Sequence, residues 1–179
     1  MRRAAIVVLA LFVLAAGCRK KSQNAGNLNV QNKVAPRVAR VYFEGPALLL
    51  MVEQRNIQAP ENAAGAMGVV VRELFKGPAN PAFARAFPAD TVVRGTFLLP
   101  DGTAFVDLGG VTLTQGWPAG SHEELMAVYS LVQTITANFP EAKKVRILVN
   151  GTPAETLAGH VALDRPLVPS GAFVDPRAR

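Results

Sequence analysis

Residues 91–108 read Thr91-Val-Val-Arg-Gly-Thr-Phe-Leu-Leu-Pro-Asp-Gly-Thr-Ala-Phe-Val-Asp-Leu108, two runs rich in β-branched and aromatic residues on either side of Asp101-Gly102. Asp-Gly supplies the backbone conformations of a tight reversal, so this stretch predicts a β-hairpin. Outward from it, the apolar spacing alternates between two and 3.6 residues. Upstream, residues 38–43 and 48–55 read as strands. Pro60-Glu61-Asn62 opens a helix with Ala63, Met67, Val70, Val71 and Leu74 at helical spacing. Lys76-Gly77-Pro78 closes it, because glycine suits the left-handed position after a helix and proline cannot continue one. Gly65 and Gly68 weaken a helix interior, so they either interrupt it or mark close packing against the sheet. Downstream, Ser121-His122-Glu123-Glu124 has the spacing of a capping box, with Ser121 and Glu124 as reciprocal partners. The helix it starts presents Leu125, Val128, Val132, Ile135 and Phe139 on one face and stops before Pro140. Residues 145–149 form a strand, Asn150-Gly151 a turn, and residues 155–163 are expected to pair back. The order β-β-α-β-β-α-β-β predicts an α+β fold, a single mixed sheet with two helices packed on one face.

Charge divides the chain differently. Residues 1–40 carry eight Lys or Arg and no acidic residue, a charge of +8. Subtracting this from the total of +6 leaves about −2 on residues 41–179. A nucleic-acid-binding domain carries a basic face of its own, so a nucleic-acid partner is not expected.

Residues 1–17 read as a secretory signal: Arg2 and Arg3 precede an unbroken apolar run of 13 residues, Ala4 to Ala16. A bilayer-spanning helix needs about 20 apolar residues, so the run is too short to persist as an anchor. Leu14-Ala15-Ala16-Gly17-Cys18 resembles a bacterial lipobox, with Ala15 where leucine is usual. Cys18, the sole cysteine, is the expected lipidation site; the plainer alternative is an ordinary residue near a cleavage site. Two or three acyl chains, at about 0.8 kcal/mol per buried CH₂, hold a protein stably on a membrane. The expected organisation is a signal peptide over 1–17, lipidated Cys18 with a disordered basic tether over 18–37, a domain over 38–168 and a tail over 169–179. Arg19 follows the cysteine where Asp would retain a lipoprotein in the inner membrane. The expected location is therefore the outer membrane of a two-membrane cell, or otherwise the outer face of the cytoplasmic membrane.

Several pieces together resemble the GerMN domain of sporulation and spore germination: the Val-Tyr-Phe opening at 41–43, a Leu-x-x-x-x-Arg element ending at Arg55, Lys76-Gly77-Pro78, and Phe87-Pro88-Ala89-Asp90-Thr91. Asp101–Leu108 with Asp107, Val132-Gln133-Thr134 and the strand leading to Gly151 complete the pattern. Gly109 stands where a serine is frequent, and Gln133 where an asparagine is. The resemblance implies a bacterial envelope protein, often a lipoprotein, of a family associated with spore formation and germination and also found beside cell-wall amidase modules. It also implies similarity to small ring-building α+β folds that assemble through protein contacts. Arg55, Gly77, Pro78, Asp107, Thr134 and Gly151 are the positions that carry the pattern.

Signs of chemistry are sparse. His122 and His160 are the only imidazoles, and without cysteines or a close acidic cluster they make no recognisable zinc site; no cofactor is expected. His122 reads as solvated at a helix start, and His160 as a structural residue on a late strand. Asp107 and Glu124 could form the carboxylate pair of a cell-wall hydrolase, but Asp107 at a strand end and Glu124 in a cap have plainer roles. Glu53 and Arg55, two apart on a strand, share a face as an ion pair or as solvated residues. Trp117, the sole tryptophan, lies in a Gly- and Pro-punctuated loop, where it either covers the core edge or anchors a partner. The leading expectation is a non-catalytic, lipid-anchored module binding envelope proteins or peptidoglycan. The hydrolase, and a small-ligand binder with a pocket near His160 and Trp117, are the alternatives.

Overall fold

The computed structural model describes residues 33–178. The expected signal peptide, Cys18 and the expected tether as far as residue 32 lie outside the described residues. The elements are β1 (Val34–Glu44), β2 (Leu50–Pro60), α1 (Ala63–Phe75), β3 (Val92–Leu98), β4 (Thr103–Gly109), a five-residue α2 (Val111–Gln115), α3 (Ser121–Asn138), β5 (Lys144–Val149) and β6 (Thr152–Pro153). Two 3₁₀ turns, Gly171–Phe173 and Pro176–Ala178, follow. The α+β class and the order of the main elements agree with expectation.

The strands form two sheets rather than one. β1 and β2 make an antiparallel ribbon, and β3-β4-β5-β6 a mixed sheet in which β4 and β5 run parallel. The physical reason lies on α3. Asn138 Oδ1 accepts from the Arg40 N–H (3.0 Å) and its Nδ2 donates to the Arg40 carbonyl (2.7 Å). One turn back, Thr134 Oγ1 accepts from the Tyr42 N–H (3.0 Å), and Ser130 Oγ donates to the Tyr42 carbonyl. Residues four apart lie on one helix face, so Ser130, Thr134 and Asn138 form a polar stripe that completes the outer edge of β1 as a strand would. No strand of the second sheet can pair there.

The core between ribbon, sheet and helices holds Val41, Phe43, Met67, Val70, Leu74, Val106, Leu131, Ile135 and Ile147, each at most 1% exposed. Each contributes about 2 kcal/mol by leaving water. β3 crosses closely at Gly68: a Cβ there would lie 3.1 Å from Thr96 Oγ1, which itself donates to the Ala64 carbonyl (2.7 Å). Of the two readings of that glycine, close packing is the one observed. Asn62 caps α1 by accepting from Gly65 N (2.7 Å).

The domain limits differ from 38–168. β1 begins at Val34, inside the expected tether. At the other end, Val174 and Ala178 pack with Tyr42, Leu50 and Met126 on the opposite face of the ribbon, and the Phe173 ring meets Tyr129 at 4.2 Å. Gln133 Nε2 donates to the Ser170 carbonyl (2.7 Å), and Asp175 N–H donates to Leu50 O (3.0 Å). The tail is therefore part of the fold, held because it covers apolar side chains on the outer face of a two-stranded ribbon. Residues 155–163 form no strand. Four of their backbone N–H groups, those of Leu157, Ala158, His160 and Val161, are committed to a carboxylate described below.

Thr134→Val keeps the side-chain shape and strands the buried Tyr42 N–H. It is expected to lower stability by about 2 kcal/mol, read from urea unfolding, whereas Thr136→Val, on a neighbouring helix face, should cost under about 1 kcal/mol.

Candidate functional site

Arg55 and Gly77 meet at the end of α1, where the last carbonyls of a helix lack intrahelical partners. Arg55 donates to the Glu73 carbonyl (2.6 Å), the Gly77 carbonyl (2.6 Å) and the Glu53 carboxylate (2.8 Å), while its guanidinium lies 5.3 Å from the Phe43 ring centroid. Arg85 donates to the carbonyls of Phe75 and Lys76, both at 2.8 Å. Gly77 has φ +87°, and a Cβ there would sit 2.7 Å from the Arg85 guanidinium. Pro78 then prevents further helix. Glu53 also accepts from Ala79 N and Asn80 N. Burial raises its pKa, but the Arg55 bond and these N–H groups outweigh that and leave it lowered. Glu53 and Arg55 are thus an ion pair only 12% and 14% exposed, not a solvated face. Together with Gly77 they serve as a clamp on the helix end.

Asp107 lies near the end of β4, not at it, and still bonds a turn as expected: it accepts from the Gly151 N–H (2.8 Å) and from Arg94 Nε (3.3 Å). Gly151, at φ +78°, turns β5 into β6. Glu124 departs from its expected capping role. Gly120 is the N-cap of α3, and its N–H donates to Glu123 Oε2 (2.8 Å); Ser121 does not cap. Glu124, at 0% exposure, instead accepts from the N–H groups of Leu157 (2.7 Å), Ala158 (2.9 Å), His160 (2.7 Å) and Val161 (3.1 Å). Burial raises its pKa, and the four N–H bonds more than offset this, so the carboxyl lies below its ordinary value. His160 sits in this loop, not on a strand, with Nε2 3.1 Å from the Ala119 carbonyl oxygen.

The groove of interest opens beside the start of α3. It has a volume of about 520 Å³ and is walled by Phe87, Trp117 and Met126 on its apolar side and by Glu44, Arg85 and His122 on its polar side. Phe87 and Trp117 stack with ring centroids 6.1 Å apart, so the tryptophan both covers the core edge and faces the groove. His122 Nε2 lies 2.7 Å from Glu44 Oε1. Of the two histidines near Trp117, the groove thus takes His122 rather than His160. The Trp117 segment was legible in the sequence as a loop, and Phe87-Pro88 only as part of the family pattern; their meeting, and the Glu44–His122 pair 78 residues apart, depends on how β1 and α3 are packed. Among the described residues no group of three or more His, Cys, Asp or Glu could hold a metal ion, and no helix is long and apolar enough to cross a membrane.

Residues 40–155 match the family model Germane, described as sporulation and spore germination. Among solved structures, a candidate lipoprotein from Clostridium perfringens superposes with a TM-score of 0.54 at 20% identity, over 75% of this chain and 88% of that one. The tandem GerMN domains of the sporulation protein GerM from Bacillus subtilis give a TM-score of 0.55 at 20% identity, over 72% of this chain and 44% of the tandem chain. This chain therefore spans less than half of that protein. No curated protein matches. At such identity the likeness concerns the fold, and it agrees with the GerMN-type architecture expected from the sequence.

Glu124→Gln leaves one acceptor oxygen for four N–H groups and points an amide N–H at two of them. The expected loss is about 3 kcal/mol at pH 7, measured by urea unfolding. Because the folded-state pKa is depressed below 4.5, the wild-type contribution is fully present above about pH 4.5 and declines as pH falls through the folded value. The variant should show a shallower acid limb.

Proposed function

Since the chain belongs to the Germane family of sporulation and spore germination domains, we propose that it is a lipid-anchored module of the bacterial cell envelope that works by contact, through the Trp117 groove, with envelope proteins or peptidoglycan. The observation that carries this reading is the groove itself: an aromatic wall of Phe87 and Trp117 facing the Glu44–His122 pair offers apolar area and oriented polar groups together, the composition of contact hot spots. The sequence around Cys18 supports the anchor, and the likeness to a candidate lipoprotein is in keeping with it. Arg19 favours the outer membrane where the cell has two membranes, and the outer face of the cytoplasmic membrane otherwise.

Weighing against hydrolase chemistry, both suspect carboxylates are occupied. Glu124 is saturated by four backbone donors with no exposure to solvent, and Asp107 is held by Gly151 and Arg94. A general acid must reach a substrate oxygen with its own proton, and a buried carboxylate held deprotonated by N–H donors is poorly suited to that.

In intact cells, crosslinking followed by pull-down of the anchored protein should capture an envelope partner or peptidoglycan. Trp117→Ala should cut the yield about ten-fold, a hot-spot effect, while Trp117→Phe, which keeps the stack on Phe87, should retain most of it. Capture unchanged in Trp117→Ala would remove the groove from the reading. A palmitate analogue should label the wild type and spare Cys18→Ser; equal labelling would sink the anchor. Muropeptides released from peptidoglycan by the wild type and not by Asp107→Asn would establish the hydrolase instead.

A further inference from the structure

We propose that the pocket between the end of α1 and the start of β3 is a second binding site, which takes the C-terminal carboxylate of a peptide whose last side chain is apolar. The pocket has a volume of about 440 Å³. Arg72, Lys76 and Arg85 line it beside the apolar side chains of Phe75, Val92 and Val93. With the Trp117 groove it shares only Arg85.

Charge selects an anion. Elsewhere in the domain Arg55, Arg94, Lys144 and Arg177 each have a carboxylate partner. Around this pocket only Lys76 has one, that of Glu73. Arg85 donates to two neutral carbonyls, those of Phe75 and Lys76, and further N–H donors of its guanidinium stay unbonded. The exposed Arg72 guanidinium has neither an ion pair nor a hydrogen bond among the described residues. Asp90, next to the pocket in sequence, does not line it, and its carboxylate accepts from the Thr112 N–H (2.9 Å). The C-terminus of α1 offsets about half a charge, so Arg72 and Arg85 together leave roughly +1.5.

Thr91 is the second observation. It lines the same pocket at 5% exposure, and its hydroxyl is the one buried side-chain polar atom among the described residues with no hydrogen-bond partner. Leaving such a bond unmade destabilises a fold. An anion's oxygen in the pocket accepts it.

The apolar wall decides which anion. Val92 is 54% exposed, so apolar surface lies directly beside the cations and waits to be covered. The C-terminal residue of a peptide carries one charge, and its own side chain branches from the carbon next to the carboxylate. Both match. A phosphate ester carries up to two charges and has an oxygen, not an apolar group, on the neighbouring position. An aspartate or glutamate side chain brings polar backbone to the wall. An unbranched fatty acid runs its chain in line with the carboxylate and needs a deep slot, where this pocket is an open groove with its charged and apolar residues side by side.

Acetyl-Ala-Leu, added to the full chain in detergent micelles and followed by the amide NMR signals of Thr91, Val92 and Val93, should saturate with a Kd of about 1 mM. Its C-terminal amide, acetyl-Ala-Gly, octanoate and inorganic phosphate should each bind at least about ten-fold more weakly. Arg72→Gln, a change at an exposed side chain, should weaken acetyl-Ala-Leu about ten-fold. Thr91→Val, which keeps the shape, should weaken it about three-fold and leave the urea midpoint unchanged or higher, because an unmade hydroxyl bond is removed. Arg165→Gln, outside the pocket, should leave the Kd unchanged. So should Trp117→Ala, which separates a failure here from a failure of the groove reading. No saturation below about 10 mM, any of the four comparison ligands binding as tightly as acetyl-Ala-Leu, or a Kd unmoved in Arg72→Gln or in Thr91→Val would overturn the proposal.

Discussion

The polar stripe Ser130, Thr134 and Asn138 on α3 is the constraint from which the architecture follows. By bonding the backbone of Arg40 and Tyr42 it ends one edge of the ribbon with side chains instead of another strand. A helix interior disfavours Ser, Thr and Asn, and here they are buried or half-buried because a strand edge needs their oxygens. The same helix turns Val128, Leu131, Val132 and Ile135 toward the core and Gln133 toward the tail, so α3 is enclosed on most sides. The separation of the ribbon from the second sheet follows from where that stripe sits.

The second theme is that charge is used internally. Arg55 and Arg85 satisfy the carbonyls at the end of α1, Glu53 collects the N–H groups just beyond it, and Glu124 collects four N–H groups from a loop with no regular structure. Buried polar groups must be satisfied, and a loop whose donors converge on one carboxylate holds its shape without a ladder. Asp175, bound by Arg177 and drawn down to about 2, plays the same part in the tail. In the Trp117 groove the Glu44–His122 pair is by contrast partly open to solvent.

How much of this was legible depends on range. Asp101-Gly102 and Asn150-Gly151 specified their reversals because the required backbone conformations are local, and the helix-ending Lys76-Gly77-Pro78 was readable for the same reason. The capping assignment of Ser121 and Glu124 failed because Glu123 one place earlier fits the same motif, and the sequence contains nothing to show that Glu124 meets residues 33–37 positions away. Residues 155–163 looked like a returning strand from composition alone. The Trp117 loop was visible as an aromatic among turn residues, but its stack on Phe87 and the neighbouring His122–Glu44 pair required distant segments to meet.

The sequence by itself determined the α+β class, the order of the elements, the two tight turns and the family resemblance, since each rests on residue spacing or on backbone preferences acting over a few positions. Only the tertiary structure decided that the strands part into two sheets, that Arg55 and Glu124 serve the backbone, and that the tail belongs to the core. Those outcomes depend on hydrogen-bonding groups brought together across 18 to 125 residues, and the balance of burial and satisfied donors that selects them exists only once the chain is packed.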